Sequence, residues 1–196
     1  MVNQARWLII FWLAAGMYST SAGAAKWQMV ADSSTVRFIG IQEASAFRGR
    51  FQNFTAMINF DPDNPSDGKI IGIVKMDSAK TGDAERDATL LEEDWFNPEI
   101  YPESRFESER IEALDDGTYA AHGVLTIIGN SNPVTMAFEF DVSCNPVTMH
   151  YELDVSCSTA HFSGSFDILR LDFGVGWDAT NWIDDLVGVQ VELDLE

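Results

Sequence analysis

Phe162-Ser163-Gly164-Ser165-Phe166-Asp167-Ile168-Leu169-Arg170-Leu171-Asp172-Phe173-Gly174-Val175 alternates with a period of two. In a strand that period puts Phe162, Gly164, Phe166 and Ile168 on one face. Arg170 follows in the same phase and places a guanidinium on a row that is otherwise apolar. An inward cation needs a partner. A carboxylate, a carbonyl, water, or the polar head of a ligand whose tail lies along the aromatics can each serve.

The same alternation recurs on both sides of this stretch. Val36 and Phe38 alternate with Thr35 and Arg37, and Phe47, Gly49 and Phe51 share a face. Phe54, Ala56, Ile58 and Phe60 form another row, one residue out of phase with the last, which predicts a bulge or bend at Gln52-Asn53. Asp61 to Gly68 reads as a turn, and Ile70 to Met76 as the returning strand. Asp83 is placed to cap a short helix carrying Ala88, Leu91 and Trp95 on one side. Beyond Pro102, Ser104 to Ser108 is a short strand around Phe106. Tyr119 to Ile128, Val134 to Val142, Phe162 to Leu171 and Val187 to Leu195 complete the series. One short helix among about eight alternating strands predicts an antiparallel all-β fold. Closing those eight strands into a barrel removes their edges, although a two-sheet sandwich carries much the same signature.

Residues 1–24 stand apart. A short basic segment to Arg6, an apolar run from Trp7 to Tyr18 and the small residues Ala22-Gly23-Ala24 read as a cleaved signal peptide. Residues 25–196 are then a single domain, periplasmic or secreted. The apolar run is well short of the roughly 20 residues a membrane-crossing helix needs, so stable membrane insertion is not expected. No cysteine follows that run at the cleavage point, which argues against a lipid anchor. The formal net charge moves from −19 to −20 once Arg6 is removed. Such a chain repels nucleic acid and anionic lipid surfaces, and both are poor partners for it.

The two cysteines close the copies of a tandem duplication. Asn132-Pro-Val-Thr-Met-Ala-Phe-Glu-Phe-Asp-Val-Ser-Cys144 is followed at once by Asn145-Pro-Val-Thr-Met-His-Tyr-Glu-Leu-Asp-Val-Ser-Cys157. An oxidising compartment would suit a disulfide. If the two copies form one long hairpin turning at Cys144-Asn145-Pro146, however, Cys157 lies at the far end and the thiols stay unpaired. We favour that hairpin from the sequence; a bridge requires the second copy to loop back.

The inward row is large and aromatic: Phe38, Phe47, Phe51, Phe54, Phe60, Phe106, Phe138, Phe140, Phe162 and Phe166, with Ile168 beside them. Such a row either fills a core or lines a cavity for one elongated ligand. Gly49 and Gly164, interleaved with the phenylalanines, leave lateral space that favours the cavity. Nothing points to catalysis. His122, His150 and His161 lack metal-ligand spacing, and Asp61-Pro-Asp-Asn-Pro-Ser-Asp-Gly68 departs from a calcium loop at Pro65 and Ser66. No nucleophile elbow, phosphate loop or dinucleotide fingerprint occurs. Carboxylate pairs are abundant, but in so acidic a chain any two will look like a pair.

Several segments, in order and spacing, resemble the YceI-like family of secreted lipid- or polyisoprenoid-binding proteins. They are Trp27 with Asp32-Ser-Ser-Thr-Val-Arg-Phe38, and Phe47-Arg-Gly-Arg-Phe-Gln-Asn-Phe54 leading to Phe60-Asp-Pro62. Ser78-Ala-Lys-Thr-Gly82, Asp87-Ala-Thr-Leu-Leu91, Asp94-Trp-Phe96 and Tyr101-Pro102 match in the centre. Gly123-Val-Leu-Thr-Ile-Ile-Gly129 with Pro133-Val-Thr135, then Arg170-Leu-Asp-Phe-Gly174, complete it. Many relatives carry a histidine on the strand after the Phe38 position, where this chain has Gln42. The resemblance implies a lipocalin-like antiparallel barrel around an apolar tunnel, no enzymatic activity, and an isoprenoid lipid as ligand. Gln42 and Arg170 become candidates for its polar head. The strong negative charge favours a neutral head such as a quinone over a pyrophosphate. No other cofactor is expected, and transient contact with a membrane redox or lipid-handling protein fits this reading. The competing reading is a filled-core secreted domain that acts as a protein-interaction module. The structural alternative for Arg170 is a pairing with an acid such as Asp172 or a carboxylate from another strand, closing one end of the barrel.

Overall fold

The computed structural model describes residues 26–149, 152–177, 180 and 182–196, with side chains outside 145–156. The signal-peptide assignment and His150 lie outside these residues. The strands are β1 (Lys26–Gln28), β2 (Thr35–Gln42), β3 (Ser45–Phe51), β4 (Phe54–Asn59), β5 (Lys69–Lys75) and β6 (Ala79–Lys80). After helix α1 (Ala84–Thr89) come β7 (Glu103–Ala113), β8 (Tyr119–Ile127), β9 (Asn130–Met149), β10 (Glu152–Leu169) and β11 (Leu186–Leu195). Among the described residues no helix is long and apolar enough to cross a membrane.

All strands join one antiparallel sheet in the order β1-β4-β5-β7-β8-β9-β10-β11-β2-β3-β6. The sheet curls into a half-barrel of eleven strands, not a closed barrel of eight. Nine of the eleven match rows read from the sequence; the other two, β1 and β6, are three and two residues long, too short to show a period there. At one end β1 returns to β11: Gln28 N–H donates to the Glu196 carbonyl at 2.7 Å, and Val30 N–H to the Asp194 carbonyl at 2.8 Å. The phase shift at Gln52-Asn53 is a bend. Gln52 N–H donates to the Ser78 carbonyl and Asn53 N–H to the Ser78 hydroxyl, which turns the chain out of β3 and lets both phenylalanine rows face inward. A bulge between Ser108 and Arg110 resets β7 likewise, so that Ile111 is buried along with Phe106.

Helix α1 is capped as expected, the Asp83 carboxylate accepting from Arg86 N–H at 2.9 Å. Its burial differs from the sequence reading. Ala88 and Leu91 are exposed, and it is Leu90 and Trp95 that enter the core. Six residues are under two turns, too few for an apolar stripe to set the facing.

The duplication folds differently from the long hairpin. The first copy lies wholly in β9, while the second folds in half between the end of β9 and the start of β10. Cys144 is therefore opposite Cys157, and the two are bridged by a disulfide. The expectation of unpaired thiols is corrected, and the reason is geometric: a hairpin made by the second copy alone brings the residues flanking it together. From Glu139 to Thr159 these strands pair only with each other, because β8 reaches no further than Phe138 and β11 begins pairing at Ala160. The result is a two-stranded arm that extends the sheet.

One end of the barrel is filled by aromatic rings. Phe60 meets Tyr119, Phe138 and Phe140 edge-on at centroid distances of 4.9, 5.3 and 5.0 Å, and Phe138 stacks on Phe162 at 4.9 Å. Trp27 covers this cluster and donates its indole N–H to the Phe60 carbonyl. The glycine spaces are used here too. A Cβ on Gly49 would come within 2.1 Å of the Phe38 ring, and one on Gly164 within 2.8 Å of the Phe162 ring. Those two glycines admit neighbouring phenylalanines, not a ligand.

On the outer face His161 joins β10 to β11, its Nδ1 2.8 Å from Asp194 and its Nε2 3.2 Å from Glu192. The hydrogen bond to Asp194, helped by Glu192, holds the imidazole above its ordinary value of 6.5. The contribution of this pairing is complete below about pH 6.5 and is lost as pH rises through the raised value. His161→Gln is expected to flatten the pH dependence of the thermal midpoint between about pH 5 and 8, measured by calorimetry. An unchanged profile would remove His161 as its source. Alkylation followed by mass measurement is expected to label no cysteine in the native protein and both Cys144 and Cys157 after reduction.

Candidate functional site

Beyond the aromatic plug the barrel is hollow. Between its rings the inward rows here carry small and branched residues: Ala56, Gly72, Val187, Val189 and Val191. They surround a cavity of about 460 Å³, within the usual range for small-molecule sites. Gly72 is the sharpest case, since a Cβ built on it meets nothing within 4 Å. Strands held in a hydrogen-bonded ladder cannot collapse to fill such space.

Of the residues singled out from the sequence, Phe38, Phe47, Phe51, Phe54, Phe106, Phe162, Phe166 and Ile168 line this cavity. Phe60, Phe138 and Phe140 do not; they are corrected to members of the plug, where their rings pack against one another. Gln42 and Arg170 both reach the cavity. Its charged lining gathers at one end, where Glu43, Asp83, Glu85 and Trp182 are at once exposed and cavity-lining. That end is the mouth. The register of β10 on β11 sets it opposite the plug, with Phe162 facing Leu193 at one end and Ile168 facing Val187 at the other.

Arg170 is 3% exposed. Strand β10 ends at Leu169, and Arg170 opens a 3-10 turn to Phe173. Its Nε donates to the Asp184 carbonyl at 3.1 Å, Nη1 to the carbonyls of Val175 (2.8 Å) and Trp177 (3.2 Å), and Nη2 to that of Ile183 (3.1 Å). The guanidinium also lies over the Trp95 ring at 5.7 Å. Among the partners weighed from sequence, the carbonyls are thus in place, and they tie the loop after β10 across the mouth. The neighbouring Asp172 carboxylate is exposed on the surface.

Gln42 is paired by a residue the sequence reading missed. Arg86 Nε donates to its Oε1 at 3.0 Å, and the same guanidinium sits 4.3 Å above the Phe47 ring. Among the described residues the Nη groups of Arg86 make no hydrogen bond, so this cation offers donors at the mouth. The available signal was the Asp83 cap, which fixes Arg86 one turn into α1. The tip between β2 and β3 is also unusual. Glu43 and Ala44 have φ of 49° and 61°, the left-handed region that a two-residue hairpin needs but that glycine or asparagine normally supplies. Glu43 N–H donates to the Trp182 carbonyl at 2.8 Å, which secures this tip to the loop across the mouth.

A half-barrel with a hollow lined mostly by apolar side chains distinguishes this fold from a solid-core sandwich. A family model described as the YceI-like domain matches residues 27–196, and the chain belongs to that family. A UPF0312 protein of Photorhabdus laumondii is 36% identical over 91 residues, which is 46% of this chain and 47% of that protein. One from Pseudomonas aeruginosa is 32% identical over 130 residues, 66% and 64% of the two. The chain thus spans about half to two-thirds of the length of the curated relatives it matches. BcnA of Burkholderia cenocepacia superposes with a TM-score of 0.72 at 26% identity, covering 85% of this chain and 98% of that one. A polyisoprenoid binding domain from Saccharophagus degradans, 12% identical, shares the fold with a TM-score of 0.61 over 88% and 98% of the chains.

Arg170→Met leaves four carbonyls without their donor in a buried place and is expected to cost at least about 3 kcal/mol of stability in denaturant unfolding. A fully stable Arg170→Met protein with altered ligand preference would instead assign Arg170 to the ligand.

Proposed function

We propose that this chain is an exported, non-enzymatic binding protein that holds the tail of an isoprenoid lipid in its half-barrel, for carriage or sequestration. The observation that carries this reading is the hollow itself, lined mostly by apolar side chains, with its charged residues gathered at the mouth. A hydrocarbon tail gains roughly 0.8 kcal/mol per buried methylene, so several prenyl units bind without any charged contact. The family and the neighbour named as a polyisoprenoid binding domain lend support. A protein-interaction module with a filled core would have no use for this space.

The mouth favours a neutral head. Glu43, Asp83, Glu85 and Asp184 line it, and Arg170 is engaged by carbonyls. A pyrophosphate would face those carboxylates, whereas a quinone carbonyl needs only a donor. Arg86 and the amide of Gln42 are the groups we assign to it. The disulfide across the arm fits a periplasmic or secreted protein.

Native purification, solvent extraction and mass spectrometry test the proposal, and an isoprenoid quinone is the expected species. A prenyl pyrophosphate as the main species would overturn the neutral head, and the absence of any lipid would overturn the carrier. Gly72→Trp projects an indole into the open space and is expected to abolish lipid co-purification while the circular dichroism spectrum stays that of the native fold.

A further inference from the structure

At the mouth end the protein exposes apolar side chains that a soluble surface does not require. Trp177 is 60% exposed, Leu186 51%, Leu169 43% and Trp182 39%. They come from one small region. Leu169 faces Leu186 across the end of the β10–β11 ladder, and Arg170 gathers the carbonyls of Trp177, Ile183 and Asp184 around a single guanidinium. Trp182 belongs to both places, exposed on the outside and lining the cavity within. Trp182 therefore joins the outer surface to the hollow.

We propose that this rim is a docking surface for a lipid bilayer, specifically one of zwitterionic or uncharged headgroups, and that it brings the cavity mouth to the membrane for lipid exchange. The inference rests on the reading of the cavity as a lipid site. A tail of several prenyl units resides in membranes, and its transfer through water exposes the whole of its apolar surface. A mouth pressed into the headgroup layer shortens that passage. The residue types suit the task. Tryptophan has an apolar body and a polar N–H and is enriched at membrane–water boundaries, and leucine beside it adds apolar area. The charge pattern sets the lipid class. Asp172, Asp184, Glu43 and Glu85 are exposed around the rim, so an anionic bilayer is repelled where an uncharged one is not. The buried Arg170 ties the carbonyls of Trp177, Ile183 and Asp184 together beneath these side chains.

The test separates docking from lipid holding. Leu186 and Trp177 do not line the cavity, so Trp177→Ser with Leu186→Ser leaves the hollow intact. Wild-type protein is expected to co-sediment with phosphatidylcholine vesicles, with a blue shift of tryptophan emission, and to take up an isoprenoid quinone from them. The double variant is expected to lose about ten-fold or more in vesicle binding and uptake rate, yet to match wild type when the quinone is offered in detergent micelles. Equal uptake from vesicles by both proteins, or tighter wild-type binding to phosphatidylglycerol than to phosphatidylcholine, would overturn the docking surface. Equal binding and uptake would also leave the patch to a protein partner. Failure of wild type to take up quinone from micelles would overturn the cavity reading instead.

Discussion

A single buried cation governs the functional end of this molecule. A guanidinium moved out of water must donate to something, and Arg170 donates to main-chain carbonyls of the loop that follows it. Satisfying them obliges the chain to turn sharply back. Gly174 and Gly176 take φ of 75° and 67°, and at Gly176 a Cβ would sit 2.9 Å from Arg170 Nη1 and 3.1 Å from the Trp95 ring. Glycine is required there for conformation and for space. The returned chain then meets β2, where Asp184 N–H donates to the Ile41 carbonyl, and enters β11 in register. The rim, the tryptophans on it and the start of the last strand all follow from one charge that has to be paired.

The same economy of space explains why one half of the barrel is solid and the other hollow. Where a ring lies over an inward glycine it takes the volume released, as Phe38 does over Gly49 and Phe162 over Gly164. In the hollow half, Gly72 has no ring opposite it close enough to enter. A glycine on an inward row is therefore not in itself a sign of a cavity. What decides is whether a neighbour on the facing or adjacent strand is long enough to reach it, and that depends on the curl of the sheet.

This distinction marks the limit of what was legible in the sequence. The period-two rows gave the strands, the inward phenylalanines and the odd phase of Arg170, because alternation is a local property of the chain. The bend at Gln52-Asn53 was legible for the same reason, as a break in phase. Which phenylalanines meet one another was not, since the centroid distances that bind Phe60 to Phe138 and Phe140 depend on strand order and curvature. Arg86 was missed because its role depends on α1 being laid against the β2 end, a contact between residues 44 positions apart. Strands β1 and β6 were too short to carry a pattern, and the barrel count suffered accordingly.

The duplicated segment was misread for a more instructive reason. Two nearly identical strand sequences invite pairing with each other, and both the barrel and the loop entropy decide against it. The first copy already has partners: β8 holds its early residues from one side, and the Ala160–Ser165 stretch of β10 holds it from the other. Inserting a second copy between these fixed strands leaves it no neighbour but itself. Folding it in half closes the shortest available loop, which has the smallest entropic cost, and leaves the original strands nearly in register, with one irregularity between Cys157 and Thr159. The disulfide then sits within the arm, at the base of the inserted half-strands. A duplication of strand-forming sequence in a curled antiparallel sheet is thus absorbed as a lengthened hairpin, leaving the cavity and its mouth at the other end of β10 undisturbed.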